Sequence, residues 1–460
     1  MSQACFSSLK LRAELLENLA SLNYSAMTPI QAKSLPHILA GKDVIAQGKT
    51  GSGKTAAFGL GLLERLNAKH FYVQSLVLCP TRELADQVAK ELRKLARAIH
   101  NIKILTLCGG TPFGPQTNSL EHGAHIVVGT PGRIEEHLRK GALDLQHLTT
   151  FVLDEADRML DMGFQVTLDT IVGHISREHQ TLLFSATYPE QIQAVAKRIM
   201  VDPVMVKVVS THNETSIEQR FYKLNNDGQR MDALRLLLLE NHPESALVFC
   251  NTRRETQEVA DELVRQGFSA LALHGDLDQK TRDHTLIRFS NKSASILVAT
   301  DVAARGLDID ALDAVINYHL SRDTEVHVHR IGRTGRAGSK GIACTLYTGN
   351  ESDKIARLED YLKQTIKNET LPPVSLLHNA PYQPAMATLQ INGGKKQKLR
   401  PGDILGALTG KDGIAGTRVG KIIIADNWAY VAIDRGAARS ALKKLENGKL
   451  KGRSFQVRKI

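Results

Sequence analysis

Short apolar runs punctuate the first 350 residues, each followed by a stretch with helical spacing. Ser75–Cys79, Ile126–Gly129, Phe151–Leu153 and Thr181–Phe184 form one series. Ala246–Cys250, Ile296–Ala299, Ala314–Asn317 and Ile342–Leu346 form a second. Brief apolar runs that alternate with helices predict parallel strands covered on both faces. Two such series predict an α/β fold with two parallel-sheet lobes. Val208–Ser216 is polar and aperiodic and reads as a linker between them. Leu371–Pro384 holds four prolines and no charge, which predicts a semi-rigid spacer. The expected domains are therefore 1–207, 217–370 and 385–460, with 371–384 as the second linker.

After residue 384 the period changes. Thr388–Ile391 reads as a strand and Gly402–Thr409 as a helix. Gly420–Ile424 and Trp428–Ile433 read as a hairpin across Ala425-Asp426-Asn427. Gly436–Leu445 is helical in pattern and Ser454–Val457 strand-like. The order β-α-β-β-α-β predicts an α+β domain of the RNA-recognition-motif (RRM) or ferredoxin-like kind.

Charge sharpens this picture. The chain has 460 residues and a formal net charge of +11. Residues 384–460 carry ten Lys, six Arg, four Asp and one Glu, so the whole excess lies in the tail. A basic module on a neutral body points to an acidic partner, nucleic acid first. A solubilising tail or a membrane-surface patch is the plainer alternative, but no long Lys/Arg run supports it. No apolar run approaches the ~18 residues that span a bilayer, and no secretory signal is readable. The five cysteines are odd in number and widely spaced, which suggests neither disulfides nor a zinc site. A reducing cytoplasm is expected, and, with no heptad pattern, a monomer.

Gly48-Lys49-Thr50-Gly51-Ser52-Gly53-Lys54-Thr55 satisfies the phosphate-loop pattern, after the apolar run Val44-Ile45-Ala46 and before a helix-compatible stretch. Its glycines let backbone N–H groups converge on phosphate, Lys54 suits the β/γ-phosphates, and the Thr55 hydroxyl suits Mg²⁺. Such a loop needs an acid for its metal. Asp154 and Glu155 follow Phe151-Val152-Leu153, at the carboxyl end of a buried strand where open α/β sheets bind ligands. Asp154 would hold Mg²⁺, and Glu155 would orient or deprotonate the attacking water.

Asp154-Glu155-Ala156-Asp157 is the signature of the DEAD-box RNA helicases, and residues 1–370 resemble that family. Pro80–Ala85, Gly109-Gly110, Thr130–Arg133, Ser185-Ala186-Thr187, Thr300–Asp308 and His329–Arg336 match its other motifs in order. The resemblance implies RecA-like lobes, RNA-stimulated ATP hydrolysis with Mg²⁺, and nucleotide bound between unlike lobes. Phe6, Tyr24 and Thr28–Gln31 look like the family's adenine-reading motif, with Gln31 on the base edge and Phe6 stacking. Thr-Pro-x-Gln is equally a helix capping box with proline at the first position. Arg333 and Arg336 correspond to the family's arginine fingers, whereas Arg330 reads as a solvated helix end. Asp308 is implied on the ribose. Asp157 with His329, and Ser185 with Thr187, are implied to couple nucleotide state to RNA. Small departures exist: Lys49 for the usual Gln, Asn23 for a Gly, and His319 where an acid is common.

For RNA, the resemblance implies Arg82, Gly109, Gly110, Thr130 and Arg133 in the first lobe, and Gln279, Arg282, Thr300 and Asp301 in the second. A core with a proline-rich linker and a basic RRM-like end also resembles members whose tail anchors the core to a large-subunit ribosomal RNA hairpin during ribosome assembly. In the tail, Trp428 and Tyr430 are two apart on a strand and share a face. Exposed, they would stack bases, with Lys395, Lys396, Lys398 and Arg400 clamping phosphate; against the helices they would be core. The tail reads as a separable RNA anchor. The rival function is an ATP-gated RNA clamp without productive unwinding. A DNA helicase is a third option, which the RRM-like tail disfavours.

Overall fold

The computed structural model describes residues 5–48, 51–208, 217–304, 312–321, 323–335 and 341–460. Among these residues three sheets form. The chain divides into two compact units, one built on the first sheet and the other on the second and third.

The first sheet is parallel, in the order Ile104–Leu107, Ile126–Gly129, Ser75–Leu78, Thr150–Asp154, Gln180–Ser185, Val44–Gln47, Val204–Lys207. Alternate residues of its strands enter different cores. Val44, Val77, Val152 and Leu182 pack with Phe58, Leu60 and Leu92 of helices Lys54–Arg65 and Arg82–Leu95. Ile45, Leu76, Phe151 and Leu183 pack on the other face with Ile134, Met159 and Ile192. Burial on both faces explains why the central strands appear as unbroken apolar runs. The edge strands Ile104–Leu107 and Val204–Lys207 are only partly buried, and their patterns are correspondingly weaker.

The second sheet runs Ala270–Leu273, Ile296–Thr300, Ala246–Cys250, Ala314–Asn317, Gly341–Thr348, Ile217–Leu224, again parallel. The segment 371–384 is not a spacer held off the lobe. It contains a 3₁₀ turn, Val374–His378, and Leu371, Leu376 and Leu377 lean on the second lobe's core. Gln383 donates to the Gly267 carbonyl at 2.9 Å. Its leucines supply apolar area, and that outweighs the stiffness of its prolines.

The third sheet is antiparallel, Val419–Ile424, Ala429–Asp434, Met386–Ile391, Val457–Lys459, with helices Pro401–Thr409 and Ala438–Asn447. Ala387, Leu389, Ile391, Val431 and Ile433 meet Ile404, Leu408, Ala441 and Leu445 of those helices. The alternate residues Thr388, Gln390, Tyr430 and Ala432 point to the opposite face, yet all are buried. The second lobe covers them. Thr388 Oγ1 lies 2.7 Å from Ser293 Oγ and accepts from Asn291 Nδ2 at 3.2 Å. Lys421 donates to Ser290 Oγ at 2.6 Å. The tail is thus seated on the second lobe, a correction to its reading as a separable module.

Candidate functional site

The strand Val44–Gln47 runs into Gly48, and the following loop delivers the helix Lys54–Arg65. Gly51 and Gly53 have φ of +81° and +91°, the left-handed region that glycine enters without steric cost. A Cβ on Gly53 would lie 2.5 Å from Gln31 Nε2. The loop ends at a helix N-terminus, whose free N–H groups and dipole favour phosphate. Ser52 and Thr55 are half-buried there, and Lys54 is buried with its ammonium donating to the Gly48 carbonyl at 2.6 Å. Thr50 lies outside the described residues.

Gln31 does two things at once. Its Oε1 accepts from the Thr28 N–H at 2.9 Å, closing the capping box of helix Pro29–Leu39. Its Nε2 donates to the Gly53 carbonyl at 3.1 Å, tying that cap to the phosphate loop. Phe6 does not offer an open ring face. It is buried in the first core and meets Tyr24 edge-on at 6.2 Å. Tyr24 donates to Glu91 at 2.6 Å, and burial together with that carboxylate pushes its hydroxyl up to about 12.

Asp154 is the last residue of its strand and is 3% exposed. Burial pushes its carboxyl up to about 7; Lys54 opposes this and the Glu155 charge adds to it. A carboxylate so poorly compensated is chemically suited to a divalent cation, and Asp154 with the Thr55 hydroxyl offers the hard oxygens that Mg²⁺ prefers. Among the described residues no group of three or more His, Cys, Asp or Glu could hold a metal ion. Mg²⁺ commonly takes one or two carboxylates and completes its shell with phosphate and water.

Glu155 stands in the left-handed region, φ +52°, which costs a non-glycine residue about 1–2 kcal/mol. Such strain recurs where a side chain must be aimed. Its carboxylate pairs with Arg158 at 3.4 Å, both side chains 5% exposed, and Oε2 makes no hydrogen bond. Arg158 went unmarked in the sequence; its i,i+3 spacing from Glu155 was the available signal. Asp157 receives both the N–H and the hydroxyl of Thr187, at 3.0 and 2.9 Å. Its own N–H donates to Ser185 Oγ at 3.3 Å. Burial pushes Asp157 up, but Arg158 and the Thr187 donors outweigh it and hold the carboxyl below its ordinary value. The structure thus gathers Asp157, Ser185 and Thr187.

The first lobe's RNA candidates also converge. Gly110 has φ +72°, and a Cβ there would lie 1.6 Å from Arg82 Nη1. Only glycine lets this guanidinium lie across the Gly109-Gly110 backbone. Arg133 donates to the Thr111 carbonyl through both terminal nitrogens, at 3.1 and 3.0 Å. Thr130 stands at the N-cap of helix Pro131–Arg139, and its N–H donates to the Leu107 carbonyl of the neighbouring strand.

In the second unit, Gln279 opens the helix Gln279–Ser290 and donates to Asp283 at 2.8 Å. Arg282 reaches the Ala303 carbonyl at 3.0 Å, and Thr300 Oγ1 accepts from the Ala303 N–H. Asp301 gives both carboxylate oxygens to Arg330, at 2.6 and 2.7 Å. Arg330 is therefore no solvated helix end. It also donates to the His319 carbonyl and to Asn317, and lies over the Phe249 ring, 4.9 Å from its centroid. His329 is half-buried on the helix Thr324–Ile331, and Arg333 is buried just beyond that helix. Asp308 and Arg336 lie outside the described residues.

In the tail, Lys395 and Lys396 sit on a short 3₁₀ turn whose N–H groups bond the carbonyls of Ala425 and Asp426. Lys395, Lys396, Lys398 and Arg400 are all exposed along this one edge. Trp428 and Tyr430 do not form one open platform. Tyr430 is buried at the seam, its ring edge-on to His284 of the second lobe at 5.8 Å, while Trp428 is half-buried just before the strand.

Comparison with known proteins agrees with this geometry. Residues 28–195 match the DEAD/DEAH box helicase family, 229–338 the helicase conserved C-terminal domain, and 388–459 the DbpA RNA binding domain. The chain is 53% identical to the ATP-dependent RNA helicase DbpA of Escherichia coli K12, covering 96% of each. It is 43% identical to the DEAD-box ATP-dependent RNA helicase CshA of Geobacillus kaustophilus, over 81% of this chain and 79% of that one. Among solved structures, Saccharomyces cerevisiae Dbp5 bound to RNA and ADP BeF3 superposes with TM-score 0.71 at 30% identity, covering 80% of this chain and 95% of that one. Mss116p bound to ssRNA and AMP-PNP does so with TM-score 0.72 at 28% identity, covering 82% and 81%. With a phosphate loop, a buried Asp-Glu pair and an RNA-binding tail in one chain, the protein belongs to the DbpA-type DEAD-box ATP-dependent RNA helicases.

Proposed function

We propose that this helicase acts on large-subunit ribosomal RNA in pre-ribosomal particles, as a cytoplasmic monomer with domains 1–207, 217–370 and 385–460. Thr50 to Thr55 bind the phosphates of ATP, Lys54 pairs with the β/γ oxygens, and Thr55 with Asp154 holds Mg²⁺. Held there, Mg²⁺ would supply positive charge to the transferring phosphoryl group. Glu155, aimed by its backbone and restrained by Arg158, positions the attacking water and takes its proton. Gln31 reads the adenine edge after releasing Gly53, with Phe6 and Tyr24 behind it and Asp308 on the ribose. Arg333 and Arg336 neutralise the γ-phosphate. Asp157, Ser185, Thr187 and His329 relay nucleotide state.

RNA phosphates are bound by Arg82, Gly109, Gly110, Thr130 and Arg133, by Gln279, Arg282 and Thr300, and by the tail's exposed lysine edge. Asp301 acts by holding Arg330 in place. The observation that carries this reading is the convergence of Lys54, Asp154 and Glu155 beyond the carboxyl ends of Val44–Gln47 and Thr150–Asp154, the two strands that flank Gln180–Ser185. The test is ATPase activity of the purified chain against ribosomal RNA fragments, total RNA and DNA, with strand separation measured in parallel. Stimulation confined to large-subunit fragments is expected. Equal stimulation by DNA refutes the RNA assignment, and ATPase without strand separation establishes the clamp.

A further inference from the structure

At the seam between second lobe and tail lies a cavity of about 730 Å³. That is within the range of small-molecule sites, roughly 300–1,000 Å³. The tail forms most of it, and the second lobe adds one lysine at its rim. Lys280 comes from the lobe helix Gln279–Ser290; Gln390, Trp428, Glu446, Phe455 and Arg458 come from the tail. Trp428 and Phe455 line it with aromatic rings, Lys280 and Arg458 with positive charge, and Glu446 with its one carboxylate. Gln390 is 1% exposed; its Oε1 accepts from Arg458 at 2.9 Å, but its Nε2 has no hydrogen-bond partner. A buried amide donor left unmatched costs about 1–3 kcal/mol, unless something that enters the cavity accepts from it.

We propose that this cavity is a composite pocket for one unpaired RNA nucleotide. The base stacks on Trp428 and Phe455. Its edge accepts from Gln390 Nε2 and donates an N–H to Glu446, and its phosphate meets Lys280 and Arg458. Aromatic faces beside cations suit a nucleotide, whereas the carboxylate disfavours a bare phosphate and calls for a base with N–H donors. Lys280 is the neighbour of Gln279 and lies on the helix that also bears Arg282, so a strand leaving the pocket is handed to the second lobe's RNA candidates. The pocket deepens, and rests on, the reading of the tail as an RNA-binding module.

Trp428 is the chain's only tryptophan, so intrinsic fluorescence reports the pocket directly. Short single-stranded RNA oligomers rich in one base each are titrated into the full chain without nucleotide. Binding is read independently by anisotropy of a labelled oligomer. RNA should quench Trp428, whereas heparin, an anion without bases, should not. Lys280→Glu should weaken the quenching oligomer roughly tenfold. Lys223→Glu, an exposed lysine on the strand Ile217–Leu224, should leave it unchanged. Binding by anisotropy without quenching, or equal affinity in Lys280→Glu, overturns the pocket while leaving RNA binding intact. Absence of RNA binding by either readout overturns the pocket and the tail's role together.

Discussion

Replacing Asp154 by Asn should stabilise the first lobe while abolishing hydrolysis. Burial pushes this carboxyl up to about 7, against roughly 3.9 for an unperturbed aspartate. The folded chain therefore holds the proton more tightly than the unfolded chain does. Below pH ~4 both states are protonated and nothing is lost. As pH rises towards 7 the unfolded chain ionises freely and the folded chain cannot, so stability falls across that window and stays lost above it. About three units at 1.36 kcal/mol each set a ceiling of about 4 kcal/mol. Relaxation and water entry reduce this, and about 1–3 kcal/mol is the working expectation.

Asparagine keeps the Oδ1 that accepts the Glu155 N–H at 3.1 Å, so the strand end survives the change. In EDTA at pH 8 the first lobe's melting temperature should rise by roughly 3–10 °C. At pH 5 the gain should shrink to roughly a third. Scanning calorimetry at both pH values reads the gain, and Mg²⁺-dependent ATPase reads the loss. An Asn variant that is no more stable at pH 8, or equally stabilised at both pH values, would show that Asp154 is not a charge held against its solvation.

Glu155→Gln should retain ATP and RNA binding, measured by equilibrium titration, while hydrolysis stops; turnover at the wild-type rate would refute its role. Arg333→Ala should lower RNA-stimulated ATPase by roughly 10³ if it acts as a finger, with nucleotide-free RNA binding nearly unchanged; a twofold loss would mark it as scaffold. Deleting residues 385–460 should abolish preference for the cognate RNA and also lower the melting temperature of the second lobe. The cut uncovers Asn291 and Ser293, which are buried against Thr388 in the intact chain. An unchanged second-lobe transition would mean that the seam contributes nothing.

The central strands were legible because burial on both faces writes an unbroken apolar run. The edge strands Ile104–Leu107, Ala270–Leu273 and Ile217–Leu224 were not, because one side of each is partly wet and the contrast falls. The phosphate loop and the Asp154–Glu155 pair were legible because their chemistry needs fixed spacing beside a strand end. The ion pair Glu155–Arg158 obeys no motif and had to be seen. The seating of the tail was hidden for a different reason. Thr388 and Gln390 alternate with Leu389 and Ile391, and period-two alternation reports only that one face differs from the other. A face that meets another domain through hydroxyls and amides gives the same sequence pattern as a face that meets water.

The second lobe compensates its buried guanidinium groups, whereas the first lobe leaves Asp154 under-compensated, and the difference separates scaffold from site. In the second lobe, Arg330 spends its donors on Asp301, Asn317, His319 and Asn251, and Arg230 on Asp227, Glu351 and the carbonyls of Tyr318 and Leu346. Each is a buried guanidinium with compensated charge, and removing the Asp301 carboxylate would leave Arg330 stranded at a cost of about 3–5 kcal/mol. In the first lobe, burial raises the Asp154 carboxyl despite the opposing Lys54 charge, and Glu155 Oε2, although paired with Arg158, lacks a hydrogen bond. A satisfied buried charge has no free energy left to give a ligand. An unsatisfied one does, and Asp154 lies beside the phosphate loop, where a cation would supply what is missing.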